Sequence, residues 1–595
     1  MTYGAERSPD TIARGTVLSY RHKRWKLAPP ASAPELQELA DELGVSPYLA
    51  QILFNRGVTS PRAAEAFLGQ PIAPPPPFRL KGVNEAVNRI RRAIRVGEEI
   101  VVYGDFDVDG ITATALLTET LRSLGARVRP YIPNRFSEGY GLNKDALTAL
   151  AEEGVGLVIT VDCGIRSPEE VAHAQRAGLD VIVTDHHSVG ADLPQAVAVV
   201  NPKQDACNYG FRSLAGVGVA FRLAQALLRV NGRVPLAREV NLSEDDLLDL
   251  VALGTVADLA PLEGENRDLV RRGLPILREM RRPGVRAMIE LAGVRPDRIG
   301  SATIGYILGP RLNAAGRLDD ARTSYELLTC RDPLQAAALA QELEETNRER
   351  QRQTQQALEL ARQQVLNNGL DSPLLVAAHS EFPQGIVGLV AGRLTEEFYR
   401  PSVVIELGEE ECRASARSIE EFDITGALDL CAELLVRYGG HAAAAGFTAS
   451  KDKLADVIDR LHAIARERLG GQELIPSLNI DMEAPLHAAN WDTLKQVESW
   501  EPFGIGNPYP LFLSTHLIVQ NPRAVGAEGQ HLKLTLFDGR TTRDAIGFGM
   551  GDLLPEIAAC SWVDVVYCLE RNEWNGEERL QLRLEDVRPS GPRRR

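Results

Sequence analysis

The chain has 595 residues, a formal net charge of −15, 44% apolar and 25% charged residues. That length predicts three or four domains, and the composition excludes a disordered, fibrous or membrane-spanning chain. The N-terminal stretch is polar and basic without an apolar core, and the seven cysteines (163, 207, 330, 412, 431, 560, 568) lack C-x-x-C spacing. These features predict a cytoplasmic protein with reduced thiols, no zinc pattern and no membrane contact.

Residues 1–45 are polar, with a Pro-rich end at Ala28–Pro34, and are expected to be flexible. Pro71–Pro77 reads as a rigid connector. From about 83 to 330, apolar strand runs alternate with amphipathic helical stretches, which predicts an α/β domain with a doubly wound parallel sheet. Its first run, Ile100–Tyr103, leads into Gly104-Asp-Phe-Asp-Val-Asp-Gly110 and then a helix. Asp105, Asp107 and Asp109 therefore crowd together at a strand end, where their repulsion calls for a cation. Three further apolar runs end the same way: Gly156–Val161 in Asp162, Val181–Thr184 in Asp185-His186-His187, and Val251–Ala257 in Asp258. Sites in open α/β sheets gather at the carboxyl ends of strands, so converging acids and histidines predict a two-metal hydrolytic centre.

Each signal has a simpler reading. A lone Asp162 or Asp258 could cap a helix or close a turn. A D-x-D-x-D run could be an EF-hand loop, but no helix precedes it and Leu116, not glutamate, stands at the twelfth position. The four segments together favour the metal site. Carboxylates with imidazole suit Mn²⁺ or Mg²⁺.

The second half begins with residues 332–368, rich in Ala, Leu, Gln, Glu and Arg, which predict one long helix ended by Asn367-Asn368-Gly369. Its sparse apolar positions suit a bridge between domains. A smaller α/β domain follows at about 369–470, with strands near Leu374–Ala378 and Ser402–Ile405. Residues 471–590 change to short alternating runs, such as His531–Phe537, Asp544–Gly549 and Leu580–Leu584, which predict a small β-barrel. A structural all-β domain and a barrel that binds single strands both remain open. No internal repeat is evident. The negative net charge leaves room for a local basic groove, with Arg311, Arg317, Arg348, Arg350, Arg352, Arg413 and Arg417 as candidates.

Asp185-His186-His187 with the upstream D-x-D-x-D-G resembles the signature of the DHH phosphoesterase superfamily. Within that superfamily the chain resembles the RecJ branch of bacterial single-strand exonucleases. The resemblance rests on Tyr103–Gly110, Pro133–Gly141, Thr160–Ile165, Val183–His187, Ser213–Ala220, Ala252–Asp258 and Gly309–Arg317. It continues through Gly385–Leu389, Gly439–Phe447 and Gly504–Pro508, in order over about residues 45 to 590. It implies a DHH catalytic domain with an N-terminal extension (46–331), the connecting helix, a DHHA1 domain (369–470) and an OB-fold (471–590). It implies a 5′→3′ exonuclease that releases 5′-mononucleotides from single-stranded DNA in recombination and repair. Single-strand-binding protein and a RecQ-like helicase would be its partners.

By the same resemblance, two ions, Mn²⁺ or Mg²⁺, would be held by Asp107 and Asp109 with Asp162 bridging. Asp105 would lie near the first ion, and His186 and Asp258 would complete the second. The catalytic set would be Asp107, Asp109, Asp162, His186, His187 and Asp258. His187, Arg311 and His441 would contact the substrate, with His441 on a loop facing the metals. Arg135, Ser415 and Arg417 would grip a 5′-phosphate. Many members carry a histidine where this chain has Tyr103, which leaves the first ion with fewer ligands. Two alternatives stand beside this reading. One is a DHH phosphodiesterase acting on oligoribonucleotides or cyclic dinucleotides, although such chains generally stop after the second domain. The other is a non-catalytic DNA-binding scaffold, against which the retained aspartates and both histidines argue.

Overall fold

A computed structural model of the chain describes residues 18–69, 74–236, 240–574 and 576–590. Contacts divide the chain into two compact units. One comprises Pro71–Gln472 and the loop Glu501–Pro508; the other joins Met1–Gln70 to Glu473–Trp500 and Tyr509–Arg595.

The larger unit holds two sheets. The first is parallel and five-stranded, in the order Arg127–Tyr131, Glu99–Tyr103, Leu157–Val161, Asp180–Thr184, Ala198–Val200. Its central strands are continuous apolar runs because helices cover both faces. The helices Val83–Val96, Val108–Ser123, Gly216–Arg233 and Leu248–Ala257 supply much of the core on one face. The apolar run Val251–Ala257, whose element type the sequence leaves open, is the body of the helix Leu248–Ala257. Leu248 to Val256 are all buried, so apolar residues surround that helix and no helical period shows in its sequence.

The second sheet is mixed, in the order Arg437–His441, Ala444–Ser450, Glu411–Arg417, Ser402–Leu407, Leu375–His379. Gly439–His441, expected as a loop, forms the end of its edge strand and pairs with Ala444–Gly446. The helix Pro333–Asn368 joins the two halves; Asp332 caps it by accepting from Leu334 N. Its 36 residues span about 54 Å at a 1.5 Å rise. Ala336, Ala340 and Leu343 lie in the first core, and Ala357, Ala361 and Val365 in the second.

The smaller unit is a closed five-stranded barrel. Phe512–Val525 pairs with His531–Phe537, which is followed by Thr542–Gly547, Glu577–Pro589 and Val563–Trp574, and the last strand returns to the first. The strand Arg24–Leu27 pairs in parallel with Ser477–Ile480, and the helices Ala33–Leu43, Pro47–Asn55 and Pro61–Leu68 follow it. The expectation of a flexible segment over 1–45 is therefore corrected from Arg24 onward. Pairing with a strand about 450 residues away is invisible to local reading. Residues 1–17 and Pro71–Ala73 of the expected connector lie outside the described residues. Residues 46–69, expected with the catalytic domain, group with the barrel: Asn55 Nδ2 donates to Asp481 O at 2.8 Å.

Candidate metal centre and substrate cleft

The strand Glu99–Tyr103 ends in Gly104, and the chain turns into the helix Val108–Ser123 with Asp107 as its cap. Asp107 Oδ1 accepts from Asp109 N at 2.9 Å and Gly110 N at 3.1 Å. Asp109 points the other way, into the N-terminus of the helix Gly216–Arg233. Its oxygens accept from Gly216 N at 2.6 Å and Val217 N at 2.8 Å. Asp162, just past the strand Leu157–Val161, has φ 63°. It caps no helix; the cap of the next helix, Pro168–Arg176, is Ser167. The segment after Asp180–Thr184 supplies Asp185, His186 and His187, and Asp258 ends the helix Leu248–Ala257.

These side chains converge in overlapping groups whose ligand atoms lie within 4.8 Å of one another: Asp105, Asp107, Asp162; Asp109, His186, Asp258; and Asp162, His186, His187. His186 Nε2 lies 3.1 Å from Asp162 Oδ1 and 3.8 Å from Asp109 Oδ2, and its Nδ1 is 3.9 Å from Asp258 Oδ2. Asp105 Oδ1, Asp162 Oδ1 and His186 Nε2 are buried without a hydrogen-bond partner. The 3.1 Å approach of His186 to Asp162 thus brings the two atoms together without hydrogen-bond alignment. Two ligands at about 2.1 Å on adjacent octahedral corners stand about that far apart. Orphaned buried polar atoms are costly, and a divalent cation removes the cost.

The charges show the same need. Burial, then Asp109, hold the Asp162 carboxyl well above its ordinary value, and burial, then Asp107, do the same for Asp105. Burial and Asp107 raise Asp109 to about 7; burial and Asp109 raise Asp258 to about 9. His186 is lowered to about 3 by burial and by His187, so its imidazole is neutral and free to ligate. His187 behaves oppositely. Burial lowers it, but the hydrogen bond of Nδ1 to Asp185 Oδ1 at 2.8 Å and the Asp185 charge outweigh burial, and the net shift is upward.

Beside the carboxylates opens a cleft of about 760 Å³, walled by both sheets' loops. Arg135, Arg166, Arg317, Arg413, Arg417 and Arg437 line it, with His187, Ser415 and His441. Among the described residues, none of the six arginines closes an ion pair with a carboxylate; their partners are neutral. Arg417 Nη1 donates to Ser415 Oγ at 3.1 Å, Arg413 to Gln384 Oε1 at 2.6 Å and Arg317 to Gly385 O at 3.2 Å. Arg135 lies over the Phe106 ring, 4.8 Å from its centroid. Arg317 is lowered to about 10 by burial and the nearby cations Arg135, Arg350 and Arg417. Asp107 offsets part of that shift, but among the described residues no carboxylate pairs directly with these cations, which leaves them available to an anion.

Residues 99–255 match the model of the DHH family, N-terminal domain; residues 371–467 match the DHHA1 domain, and residues 480–586 the RecJ OB domain. The single-stranded-DNA-specific exonuclease RecJ of Bacillus subtilis is 38% identical over 567 residues, 95% of this chain and 70% of that protein. The chain belongs to the RecJ family. Crystal structures of RecJ from Thermus thermophilus share the fold. The Mn²⁺ complex has a TM-score of 0.82 at 30% identity, covering 96% of this chain and 80% of that one. For the Mg²⁺ complex the TM-score is 0.77 at 29% identity, covering 96% and 79%.

Within this RecJ frame the structure brings together Asp105, Asp107, Asp109, Asp162, His186, His187 and Asp258, and places Arg135, Ser415, Arg417 and His441 along the cleft. Arg311 is the exception. Its Nε pairs with Glu344 at 2.7 Å and its Nη1 donates to Ile307 O, so it ties its own helix to the long connecting helix and lines no part of the cleft. Arg348 pairs with the same Glu344, and Arg352 with Glu349. Tyr103 stacks on Tyr131 at 4.8 Å and its hydroxyl donates to Gly141 O, away from the acids; Asp105 is the third carboxylate of the first group. Sequence reasoning missed Arg166, Arg437 and Tyr140, whose hydroxyl is 3.3 Å from His187 Nδ1. It also missed the use of Ser213–Ala220, where a Cβ on Gly216 would sit 2.6 Å from Asp162 Oδ1.

Proposed function

We propose that the protein is a metal-dependent, single-strand-specific 5′→3′ exodeoxyribonuclease that releases 5′-mononucleotides, acting in recombination and repair. The observation that carries the reading is the cleft of arginines without carboxylate partners opening beside three overlapping groups of carboxylate and imidazole side chains. Relatives named as single-stranded-DNA-specific exonucleases, and RecJ structures in complex with Mn²⁺ and Mg²⁺, support it.

Asp105, Asp107 and Asp162 would hold one Mn²⁺ or Mg²⁺, and Asp109, His186 and Asp258 the other, with Asp162 shared between them. Such a pair of ions activates water near neutral pH and offsets charge on the leaving oxygen. The chain's own groups do the rest. Asp185 fixes the His187 ring, which donates to a phosphate oxygen. Arg135, Ser415 and Arg417, with Arg317 beside them, hold the terminal 5′-phosphate and so set the scissile bond one nucleotide in. The cleft volume falls in the range of about 300–1,000 Å³ that fits a nucleotide-sized ligand. On this reading the cleft admits one strand and excludes a base-paired end. Single-strand-binding protein and a RecQ-like helicase belong to this reading as partners and rest on the resemblance alone.

The test is digestion of single-stranded DNA labelled at either end, with Mn²⁺ or Mg²⁺ and a duplex control. Early release of labelled mononucleotide from the 5′ end only is expected. Release from the 3′ end, or equal attack on duplex, contradicts the assignment. Arg417→Ala should slow 5′-phosphorylated strands about tenfold or more, because a charge-assisted contact contributes roughly 1.5–3 kcal/mol. A 5′-hydroxyl strand should be slowed less; equal slowing would give Arg417 a structural role.

A further inference from the structure

Three large apolar side chains stand exposed on segments that pack against the helix ending in Asp258 or the turn that follows it. Leu259 follows Asp258 directly and is 67% exposed with φ 59°; Tyr306 is 84% exposed, and Ile505 is 55% exposed. They come from three segments of the larger unit that are packed together. Leu262 N donates to Ile505 O at 2.7 Å, and Ser301 Oγ donates to Phe503 O at 2.5 Å. A Cβ on Gly309 would lie 3.6 Å from Ala257 Cβ. The core beneath needs none of the three, since Leu262, Ile304 and Leu308 already fill it.

Tyr306 sits in a five-residue π-helical turn, Ile304–Leu308. Such turns shift a helix's register and mark functional positions. Here the shift leaves an aromatic ring outward while Ile304 and Leu308 stay buried. Leu259 adopts a left-handed conformation that a branched side chain takes up at a cost. Lys203 is half-buried and lies within electrostatic reach of both Asp185 and Asp258, the residue that precedes Leu259. A cation next to exposed apolar and aromatic groups is the pairing that single-stranded nucleic acid requires, phosphate against charge and base against ring.

The arginine cleft accepts the 5′ end from the side of Asp185 and His187, and its lining does not include Asp258. We propose that Leu259, Tyr306 and Ile505 form a platform on which bases downstream of the scissile phosphate stack, with Lys203 holding a phosphate of that stretch. The proposal rests on the nuclease reading for the identity of its ligand. It makes Tyr306 a determinant of single-strand selectivity, because bases already stacked in a duplex cannot lie on the ring.

The experiment measures binding of the full chain to a short 5′-phosphorylated oligonucleotide in Ca²⁺ at fixed salt, for wild type, Tyr306→Ala, Tyr306→Phe and Ile505→Ser. A second oligonucleotide carries abasic residues at the second to fourth positions. Stacking on an aromatic ring changes affinity by about fivefold to a hundredfold per base. Tyr306→Ala is expected to lose that factor on the intact strand and nothing further on the abasic strand. Tyr306→Phe should bind like wild type, and Ile505→Ser should fall between. Equal losses of Tyr306→Ala on both strands, or a wild type indifferent to the missing bases, overturn the platform. Cleavage is scored separately in Mn²⁺: a wild type that binds but leaves the strand intact defeats the nuclease reading and leaves the binding result standing.

Discussion

Asp162 belongs to two of the three candidate ligand groups, one with Asp105 and Asp107 and one with His186 and His187. Its carboxylate faces His186 at 3.1 Å and shares a group with Asp105 and Asp107. Asp162→Ala should abolish hydrolysis; a residue of more than about a tenth of wild-type activity would remove it from the centre. The same change deletes one of several mutually repelling buried carboxyls, so the chelator-treated variant should melt no lower than wild type. Stability should also depend on pH with a definite sign. Folded Asp109 titrates near 7 and Asp258 near 9, both above the value of about 3.9 in the unfolded chain. The folded state therefore holds more protons between about pH 4 and 9, and metal-free stability falls as pH rises through that window. Mn²⁺ displaces those protons, so it should raise the melting temperature more at pH 8 than at pH 5.5. A metal-free melting temperature that climbs from pH 5.5 to 8 would contradict this. The acids and histidines were legible because each follows an apolar run that only a buried strand or helix explains. Arg311 misled because its pairing with Glu344 depends on where the connecting helix packs.

At the scale of elements, the helix Gly216–Arg233 belongs to the site as much as any ligand. Its first two N–H groups orient Asp109, and the absence of a Cβ on Gly216 leaves room for Asp162. Gly216→Ala should therefore weaken metal binding, with activity at limiting Mn²⁺ falling about tenfold and recovering at high Mn²⁺. Activity equal to wild type at limiting metal would show that the helix terminus is only a packing feature. The parallel strands could be read from sequence because sheets buried on both faces need continuous apolar runs. The barrel strand His531–Phe537 could be read because its side chains alternate between core and surface. Leu248–Ala257 escaped reading as a helix because every face is buried. Arg24–Leu27 escaped because a short polar strand gains its order from a partner at Ser477–Ile480.

At the scale of the molecule, neither unit is a continuous stretch of sequence. The N-terminal helices fold with the barrel, and the loop Glu501–Pro508 folds with the catalytic unit, where Arg278 pairs with Glu501 at 3.1 Å. No local pattern announces either exchange, and truncation near residue 472 would strip the catalytic unit of that loop. The barrel is better tested by substitution. Phe548 is exposed and packs edge-on to His531, and Lys533 lines a concavity with Asn572 and Arg579. Phe548→Ala with Lys533→Ala should weaken binding of long single strands at matched salt while leaving dinucleotide hydrolysis unchanged. Unchanged affinity would make the barrel structural. The proposed hydrolysis depends above all on two ions in one carboxylate–imidazole cluster, and anomalous scattering from crystals soaked in Mn²⁺ tests that directly. Two peaks are expected, one about 2.1 Å from oxygens of Asp105, Asp107 and Asp162 and one at that distance from Asp109, His186 and Asp258. A single peak, or peaks away from Asp162, would contradict it.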